Sequence, residues 1–365
     1  MTDHAPALAP AELAPTPAPA AAPAWPRVGA VLSGSFDLLT RSRIPLRNGS
    51  LYIALIALLT MGLPLLIVVA LGGELVAALL ASAQAGEGVS GLPAGTSVFV
   101  LVAGTVALGS ILVLSVESQI LGVAILGGAQ AGRSLSLREA LRRSRAVFWR
   151  VARATILVNV ATMIVLDIVT GILGGVLGDT TDAADVGAQI LTAILTAPFI
   201  YVVAGIVLGD VAAIEAIRRS IRLARARFRL AVIVSVFAVV AQYLLIFAAF
   251  AGLDLAIRLL EPFRTQLERL DPETLGGILV VGAGGLVALV AFWTLTFTVG
   301  ALSSTPQVVA FLGLTGYSAG LDSARDATDG SAPRERAAWI TRPMLVGIVL
   351  GGIASVLAVA RILGG

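Results

Sequence analysis

The chain has 365 residues, of which 58% are hydrophobic and 13% charged, and its mean hydropathy is +0.96. Soluble domains have an apolar share of about 45–50%, so this composition excludes an ordinary soluble protein and predicts an integral membrane protein. All 25 basic residues are Arg, which indicates a GC-rich bacterial genome. Cys is absent, which excludes disulfides and Cys-based metal or nucleophilic sites.

The first 26 residues differ in composition from everything that follows. They contain seven prolines: Pro6, Pro10, Pro15, Pro17, Pro19, Pro23 and Pro26. Proline at this density prevents helix propagation, so we predict a disordered, extended tail over residues 1–26. An integral membrane helical domain is expected over residues 27–363. The tail is either inert or a docking segment for a partner.

Apolar runs of membrane-spanning length follow a first amphipathic segment that contains Arg41, Arg43 and Arg47. The runs predict spans at residues 51–71, 98–128, 154–177, 188–208, 230–253, 275–302 and 344–362. Proline lacks a backbone donor, so we expect a kink at Pro64 and a break in the helix at Pro306. The predicted fold class is all-α, a polytopic transmembrane helix bundle of about seven spans (six to eight).

One short motif occurs twice: Glu139-Ala-Leu-Arg-Arg-Ser144 returns as Glu215-Ala-Ile-Arg-Arg-Ser220. Each copy lies on an Arg-rich segment, residues 135–153 and 211–229, that leads directly into an apolar run. We interpret this as an internal repeat of an Arg-rich interfacial helix and a span. Ser136 and Glu139 have the spacing of a capping box. The predicted apolar faces are Leu137, Ala140, Leu141, Ser144, Val147, Phe148 and Val151 in the first helix, and Ile214, Ile217, Ile221, Ala224 and Phe228 in the second.

The distribution of Arg predicts the orientation. With seven spans, 21 of the 25 Arg residues lie on the same side of the membrane as the N-terminus. The positive-inside rule assigns that side to the cytoplasm. We therefore predict a multi-pass protein of the bacterial inner membrane with its N-terminus in the cytoplasm and its C-terminus outside.

The Arg-rich helices predict contacts with the lipid bilayer, in particular with anionic phospholipid head groups. The candidate contacts are Arg138, Arg142, Arg145, Arg218, Arg222 and Arg225. Two interpretations remain open: anchors that fix the topology, or a site for a phosphate-bearing ligand or lipid head group. A membrane-protein partner is a further candidate. Nucleic acid is not expected, because interleaved surface aromatics and a binding fold are both missing.

Polar residues inside the spans form the second candidate site: Glu117, Asp167, Gln242, Asn159 and Gln119. Counted along the chain, Glu117, Asp167 and Gln242 lie 16, 14 and 13 residues from their nearest Arg, about 20–24 Å at 1.5 Å per residue. We expect Glu117 and Asp167 to approach one another, or to share a polar cavity, and to share a proton. The set is either a hydrogen-bonded network that joins helices or a proton- or ligand-binding site in a transporter.

Residues for chemistry are scarce. The single His is His4, in the predicted tail, so a His-based triad or zinc site is excluded from the folded region. Lys is absent, which excludes a phosphate-binding loop of the Gly-Lys-Ser/Thr type. Asp322, Asp326 and Asp329 occur in the wrong order for enzymes that transfer phospho-alcohol groups, and we interpret them as a polar loop. We predict no catalytic site, metal or cofactor.

The chain resembles the membrane domain of bacterial glycerophosphoryl diester phosphodiesterases and its stand-alone relatives. The matching elements are the opening segment 29–39, Leu135-Ser-Leu-Arg-Glu-Ala-Leu-Arg-Arg-Ser144, the second motif copy, and Thr305-Pro306 followed by Tyr317. They extend over most of residues 27–320. The resemblance implies a helical membrane domain. The family's acidic-basic run after the tyrosine is reduced here to residues 318–325, and a further span follows it. Because no soluble catalytic domain is attached, the activity in the family's name does not transfer.

Three function classes follow from these patterns. A non-catalytic membrane scaffold, or an assembly or lipid-associated protein, is favoured by the scarcity of catalytic residues. A transporter or lipid permease that uses a mid-membrane carboxylate site is the alternative, favoured by the repeat and by Glu117 and Asp167. Both motif copies enter the membrane from the same side, so the repeat lacks the inverted symmetry of many secondary transporters. An integral membrane enzyme is least favoured.

Overall fold

The computed structural model describes residues 27–62, 94–177, 191–260 and 275–316. All regular secondary structure in these ranges is helical, so the predicted all-α class is confirmed. The predicted tail, the kink at Pro64 and the last predicted span at 344–362 lie outside the described residues.

The eight described α-helices range in length from 8 to 41 residues. In chain order they are α1 (Val28–Arg41), α2 (Arg43–Ala57), α3 (Ala94–Gln130), α4 (Leu137–Leu177), α5 (Val202–Gly209), α6 (Ala213–Ala226), α7 (Phe228–Leu260) and α8 (Leu275–Thr315). A π-helical turn, Leu58–Gly62, extends α2, and a 3-10 turn, Ala197–Phe199, separates helical residues 191–196 from α5.

Six helical segments within the described ranges are long and apolar enough to cross a membrane. They are Arg43–Gly62, Leu108–Gln130, Leu137–Val169, Leu191–Gly209, Phe228–Gly252 and Gly282–Thr315. Each overlaps one of the first six predicted spans. The structure is therefore that of a multi-pass membrane protein.

The turn between α3 and α4 is set by two local motifs. The α3 helix ends with Gly132 in the left-handed region (φ 71°), and the Arg133 amide donates to Gly128 O at 2.7 Å, as in a Schellman motif. The predicted capping box is confirmed at the start of α4. The amide and hydroxyl of Ser136 both donate to Glu139 Oε2 at 2.7 Å, and the Glu139 amide donates back to Ser136 Oγ at 3.4 Å.

The first Arg-rich segment is not a separate interfacial helix, contrary to prediction. It forms the first turns of α4, a single helix of 41 residues. No Gly or Pro occurs between residues 137 and 170, so nothing in the backbone breaks the helix where the Arg residues end. Ala140, Ser144, Val147 and Val151 of the predicted face are buried, which shows that this segment packs within the protein.

The second Arg-rich segment forms a separate amphipathic helix, α6, which buries only Ala224 of the predicted apolar stripe. Its other buried residues are Ala216 and Ser220, whereas Ile214 is 60% exposed. A Cβ added to Gly205 of α5 would lie 3.8 Å from Ala216 Cβ. Small residues therefore let the two helices approach closely, as is common in membrane proteins.

The α8 helix continues through Pro306, so the predicted break is wrong. Side chains next to the proline bond to carbonyls of the preceding turn. Ser304 Oγ donates to Gly300 O at 2.7 Å, Thr305 Oγ1 donates to Ala301 O at 2.7 Å, and Gln307 Nε2 donates to Ser303 O at 3.1 Å.

The bundle has a densely packed end and an open end. The packed end contains α1, the second half of α3, the first turns of α4, α5, α6, the start of α7 and the last turns of α8, which share one buried apolar cluster. In the open end, α4 beyond Ala154 and α7 beyond Ala241 have no buried residue among those described. Exposed large apolar residues cover those segments, including Ile164, Phe247 and Phe250. We interpret the open end as the part that faces acyl chains.

Candidate functional site: a polar cavity between the spans

A cavity of about 230 Å³ lies at the boundary between the packed and the open ends. Four parts of the bundle supply most of its wall: α4, the fourth span around its 3-10 turn, α7 and α8. Nine of its 17 lining residues are polar, so it differs from the apolar surfaces around it. The polar residues are Gln119, Thr155, Asn159, Thr192, Thr196, Ser235, Gln242, Ser303 and Gln307.

The cavity brings together three of the five predicted intramembrane residues: Gln119 of α3, Asn159 of α4 and Gln242 of α7. Within the described part of the chain, none of these three amide side chains has a hydrogen-bond partner. Asn159 and Gln242 are exposed and Gln119 is half-buried. The predicted alternative of a network joined by these amides is therefore wrong for these three residues, which instead present free donors and acceptors to one space.

Other polar side chains of the lining already bind one another or the backbone. Thr196 Oγ1 and Ser235 Oγ lie 2.8 Å apart, and Thr196 also donates to Thr192 O at 2.8 Å. On α8, Gln307 Nε2 donates to Ser303 O. These bonds fix the wall, whereas the three free amides remain available.

The fourth span is interrupted beside the cavity. The 3-10 turn Ala197–Phe199 contains Pro198, whose ring cannot donate a backbone hydrogen bond, and the α-helix resumes only at Val202. Phe199 and Ile200 of this break line the cavity. Non-helical backbone at membrane depth is tolerated where it is buried in protein or lines a cavity, and here both conditions hold.

Ser220 of α6 bridges this interruption. Its hydroxyl donates to Pro198 O at 2.7 Å and accepts from the Tyr201 amide at 3.2 Å, so it satisfies one group on each side of the turn. Ser220 is the last residue of the second motif copy. Its counterpart in the first copy, Ser144, is equally buried, but its hydroxyl has no partner among the described residues.

The structure does not bring the two predicted carboxyl groups into a shared site. Glu117 is 6% exposed, lies with Oε1 at 3.5 Å from Tyr52 Oη, and interacts electrostatically with Arg145. Asp167 is exposed on the open half of α4. Neither residue lines the cavity. The predicted shared carboxyl environment is therefore wrong.

The depth assigned to Glu117 from the sequence was also misleading. Counting along α3 placed it 16 residues from Arg133. The α4 helix, however, folds back along α3 and brings Arg145 within electrostatic reach of Glu117. A count of residues along α3 takes no account of a charged side chain on the neighbouring α4.

An ion-pair cluster at the packed end was not predicted. Arg143 is buried and donates to Val207 O (2.9 Å), Ile206 O (3.1 Å) and Asp210 Oδ1 (2.9 Å), so it caps the carbonyls at the end of α5. Arg150 also donates to Asp210 Oδ1 at 2.9 Å. Asp210 follows α5 in the left-handed region (φ 52°). Partial burial alone would raise the pKa of its carboxyl, but the two guanidinium groups outweigh burial and lower that pKa below its usual value.

The predicted lipid-contacting Arg residues are not equivalent. Arg138 and Arg225 are exposed and have no partner in the described part of the chain, and the exposed Arg218 interacts electrostatically with Glu215. Arg222 is exposed but pairs with Glu215 at 3.2 Å, and Arg145 is engaged with Glu117. The sixth, Arg142, is half-buried, and its Nη1 atom lacks a partner among the described residues.

Several residues of the site were missed by the sequence analysis. The only indication of a role for Ser220 in the sequence was its place in the repeated motif. The hydroxyl residues Thr155, Thr196 and Ser235 carried no such indication, because Ser and Thr are common in membrane helices and bind their own backbone.

Comparison with known protein families, with curated proteins and with solved structures finds no match to this chain.

Proposed function

We propose that the protein is a non-catalytic, lipid-associated protein of the bacterial inner membrane that binds a polar ligand from the bilayer in its cavity. The observation that carries this proposal is the convergence of Gln119, Asn159 and Gln242, three amides without partners, on one space. An unsatisfied polar group in hydrocarbon is unfavourable by several kcal/mol, so water or a ligand must satisfy these amides.

The position of the opening favours a ligand that arrives from the membrane. Asn159 and Gln242 are exposed, and so are their apolar neighbours Val160 and Tyr243. A polar group inside the cavity can therefore remain attached to an apolar tail outside it. None of the described residues that line the cavity is ionisable, which supports binding rather than acid–base or nucleophilic chemistry.

The predicted orientation, with the N-terminus in the cytoplasm, is part of the proposal. It puts the packed end and its Arg residues at the inner leaflet, where Arg138, Arg218 and Arg225 would contact anionic head groups. The resemblance to the phosphodiesterase membrane domain likewise remains a proposal, and it supports a membrane role without catalysis. Of the three predicted roles, scaffold, assembly protein and lipid-associated protein, the cavity favours a lipid-associated protein.

Lipid retention tests the proposal. The double variant Asn159→Leu, Gln242→Leu changes two exposed residues, so it should fold. We expect at least one lipid class to co-purify with the unchanged protein in mild detergent and to be lost from the variant, as measured by mass spectrometry of extracted lipids. Tyr243→Phe, next to the cavity, is the matched control. Identical lipid profiles in all three proteins would contradict the proposal.

A lipid or solute permease is the second candidate, because the helix interruption at Pro198 adjoins the cavity. Discontinuous helices mark the binding sites of many transporters. The carboxylate version of this alternative has no support, since Glu117 and Asp167 lie elsewhere. Reconstitution into vesicles with a fluorescent lipid in one leaflet separates the candidates. A permease would equilibrate the label faster than protein-free vesicles do, whereas a binding protein would leave the rate unchanged.

A further inference from the structure

We infer that the cavity recognises an uncharged, hydroxyl-rich group, presented either as a glycolipid head group or as a free sugar. This inference rests on the proposed function in one respect, that the cavity is the binding site. It goes further by naming the chemical class of the ligand.

The absence of charge in the wall is the first argument. The 17 lining residues that the structure describes are all uncharged, and the buried Glu117 nearby is already engaged by Tyr52 and Arg145. A phosphate or ammonium group would therefore enter without a counter-ion, and burial of an unpaired charge is strongly unfavourable. The packed end, by contrast, displays the Arg residues that suit anionic lipid.

Hydrogen-bonding capacity is the second argument. Each free amide of Gln119, Asn159 and Gln242 offers a carbonyl acceptor and two N–H donors. Thr155 adds a hydroxyl that has no partner in the described part of the chain. A ligand hydroxyl both donates and accepts, so a group with several hydroxyls matches this set. An ester or carbonyl oxygen only accepts, so it would leave the carbonyl oxygens of the amides without a donor.

Size and rigidity are consistent with one small ring. A cavity of about 230 Å³ corresponds to about seven water molecules at roughly 30 Å³ each, and it is smaller than the roughly 300–1,000 Å³ of pockets for larger ligands. The Thr196–Ser235 pair joins the fourth span to α7 beside the cavity. The free amides lie on α3, α4 and α7, so a ligand bonded to all three is held from three directions.

Competition among defined lipids tests this inference in the full-length protein. The delipidated protein is placed in nanodiscs with monoglucosyl diacylglycerol, phosphatidylglycerol or phosphatidylethanolamine, and the bound lipid is counted by native mass spectrometry. We expect at least tenfold preference for the glucolipid. Gln242→Leu should lower its retention about three- to tenfold, the effect of one lost hydrogen bond. Tyr243→Phe should leave retention unchanged.

A parallel arm with free glucose identifies the source of the group. Glucose that raises the melting temperature of the unchanged protein, but not of Gln242→Leu, supports the same chemistry with a soluble ligand. Preference for phosphatidylglycerol or phosphatidylethanolamine that depends on Gln242 would overturn the inference while leaving lipid binding in the cavity intact. If neither the retention of any lipid nor the effect of glucose on the melting temperature depends on Gln242, the inference and the proposed function both fail.

Discussion

A single Arg side chain joins three parts of the packed end. Arg143 is buried with its charge directed at the last carbonyls of α5 and at Asp210. These are the backbone groups that a helix end leaves unsatisfied, and a cation at a helix C-terminus also suits the helix dipole. Arg219, in the same position of the second motif copy, is exposed and pairs with Glu215 on its own helix.

Replacing these two Arg residues should therefore have different consequences. Arg143→Gln should destabilise the protein by about 2–3 kcal/mol, because charge-assisted bonds to buried carbonyls are lost. Arg219→Gln should change stability by less than about 1 kcal/mol, since exposed ion pairs contribute little. Melting temperatures in the same detergent measure both. Equal effects of the two variants would contradict the role assigned to Arg143.

The ion pair of Asp210 makes part of the stability depend on pH. Its pKa is lowered in the folded protein, so its contribution is fully present above the unfolded value of about 3.9 and is lost as pH falls through the folded pKa. We expect Asp210→Asn to lower the melting temperature at pH 7, and the difference from the unchanged protein to shrink as pH falls below about 3.9. A difference between the two proteins that stays constant as pH is lowered through the folded pKa would argue against this linkage.

At the residue scale, the sequence was informative about polar residues within apolar runs and uninformative about individual Arg residues. Gln119, Asn159 and Gln242 are conspicuous because a polar side chain in a span needs a partner or a polar space. Arg142 and Arg143 are adjacent and identical in type. Only the fold determines that Arg143 is the one buried against α5.

The interrupted fourth span depends on a bond from another element. Removing the Ser220 hydroxyl leaves Pro198 O and the Tyr201 amide without their partner. A buried backbone group left unsatisfied is unfavourable by about 1–3 kcal/mol.

Ser220→Ala should therefore lower the melting temperature and weaken ligand retention, because Phe199 and Ile200 line the cavity. Ser144→Ala, in the first motif copy, should be neutral or slightly stabilising, since that hydroxyl has no partner among the described residues. Circular dichroism melts with lipid extraction measure both effects. If Ser144→Ala lowers the melting temperature as much as Ser220→Ala does, loss of the Ser220 bonds at Pro198 and Tyr201 is not the cause of the lower stability.

At the element scale, the positions of the first six spans could be predicted, but helix continuity could not. Two prolines in apolar segments had opposite outcomes. Pro306 stays within α8, whereas Pro198 interrupts the fourth span, where Ser220 of α6 bonds to Pro198 O and the Tyr201 amide. A partner such as Ser220, from a distant position in the chain, is not visible in a local sequence pattern.

The whole bundle should have one orientation, set by the concentration of Arg at its packed end. Single Cys residues can test this, because the chain contains no Cys. Ser134→Cys lies in the exposed turn between α3 and α4, and Ser90→Cys lies in the predicted loop between the first two spans. We expect an impermeant thiol reagent added to intact cells to label Ser90→Cys only.

Reversal of that labelling pattern would invert the proposed topology and move the Arg-rich end to the outer leaflet. Labelling of both variants after the membrane is permeabilised is the necessary control, because it shows that each thiol is accessible.

The packed end unites the first and last described helices of the chain. Gly34 of α1 lies against α8, where a Cβ added to it would be 3.6 Å from Val309 Cγ1, and Val31 and Val308 belong to the same buried cluster. The two contacting residues, Gly34 and Val309, are 275 residues apart in the chain, so α1 is synthesised long before its partner. Among the described residues, the buried cluster is complete only after α8 has been made, and any shorter nascent chain leaves the α1 residues of that cluster without their α8 partners.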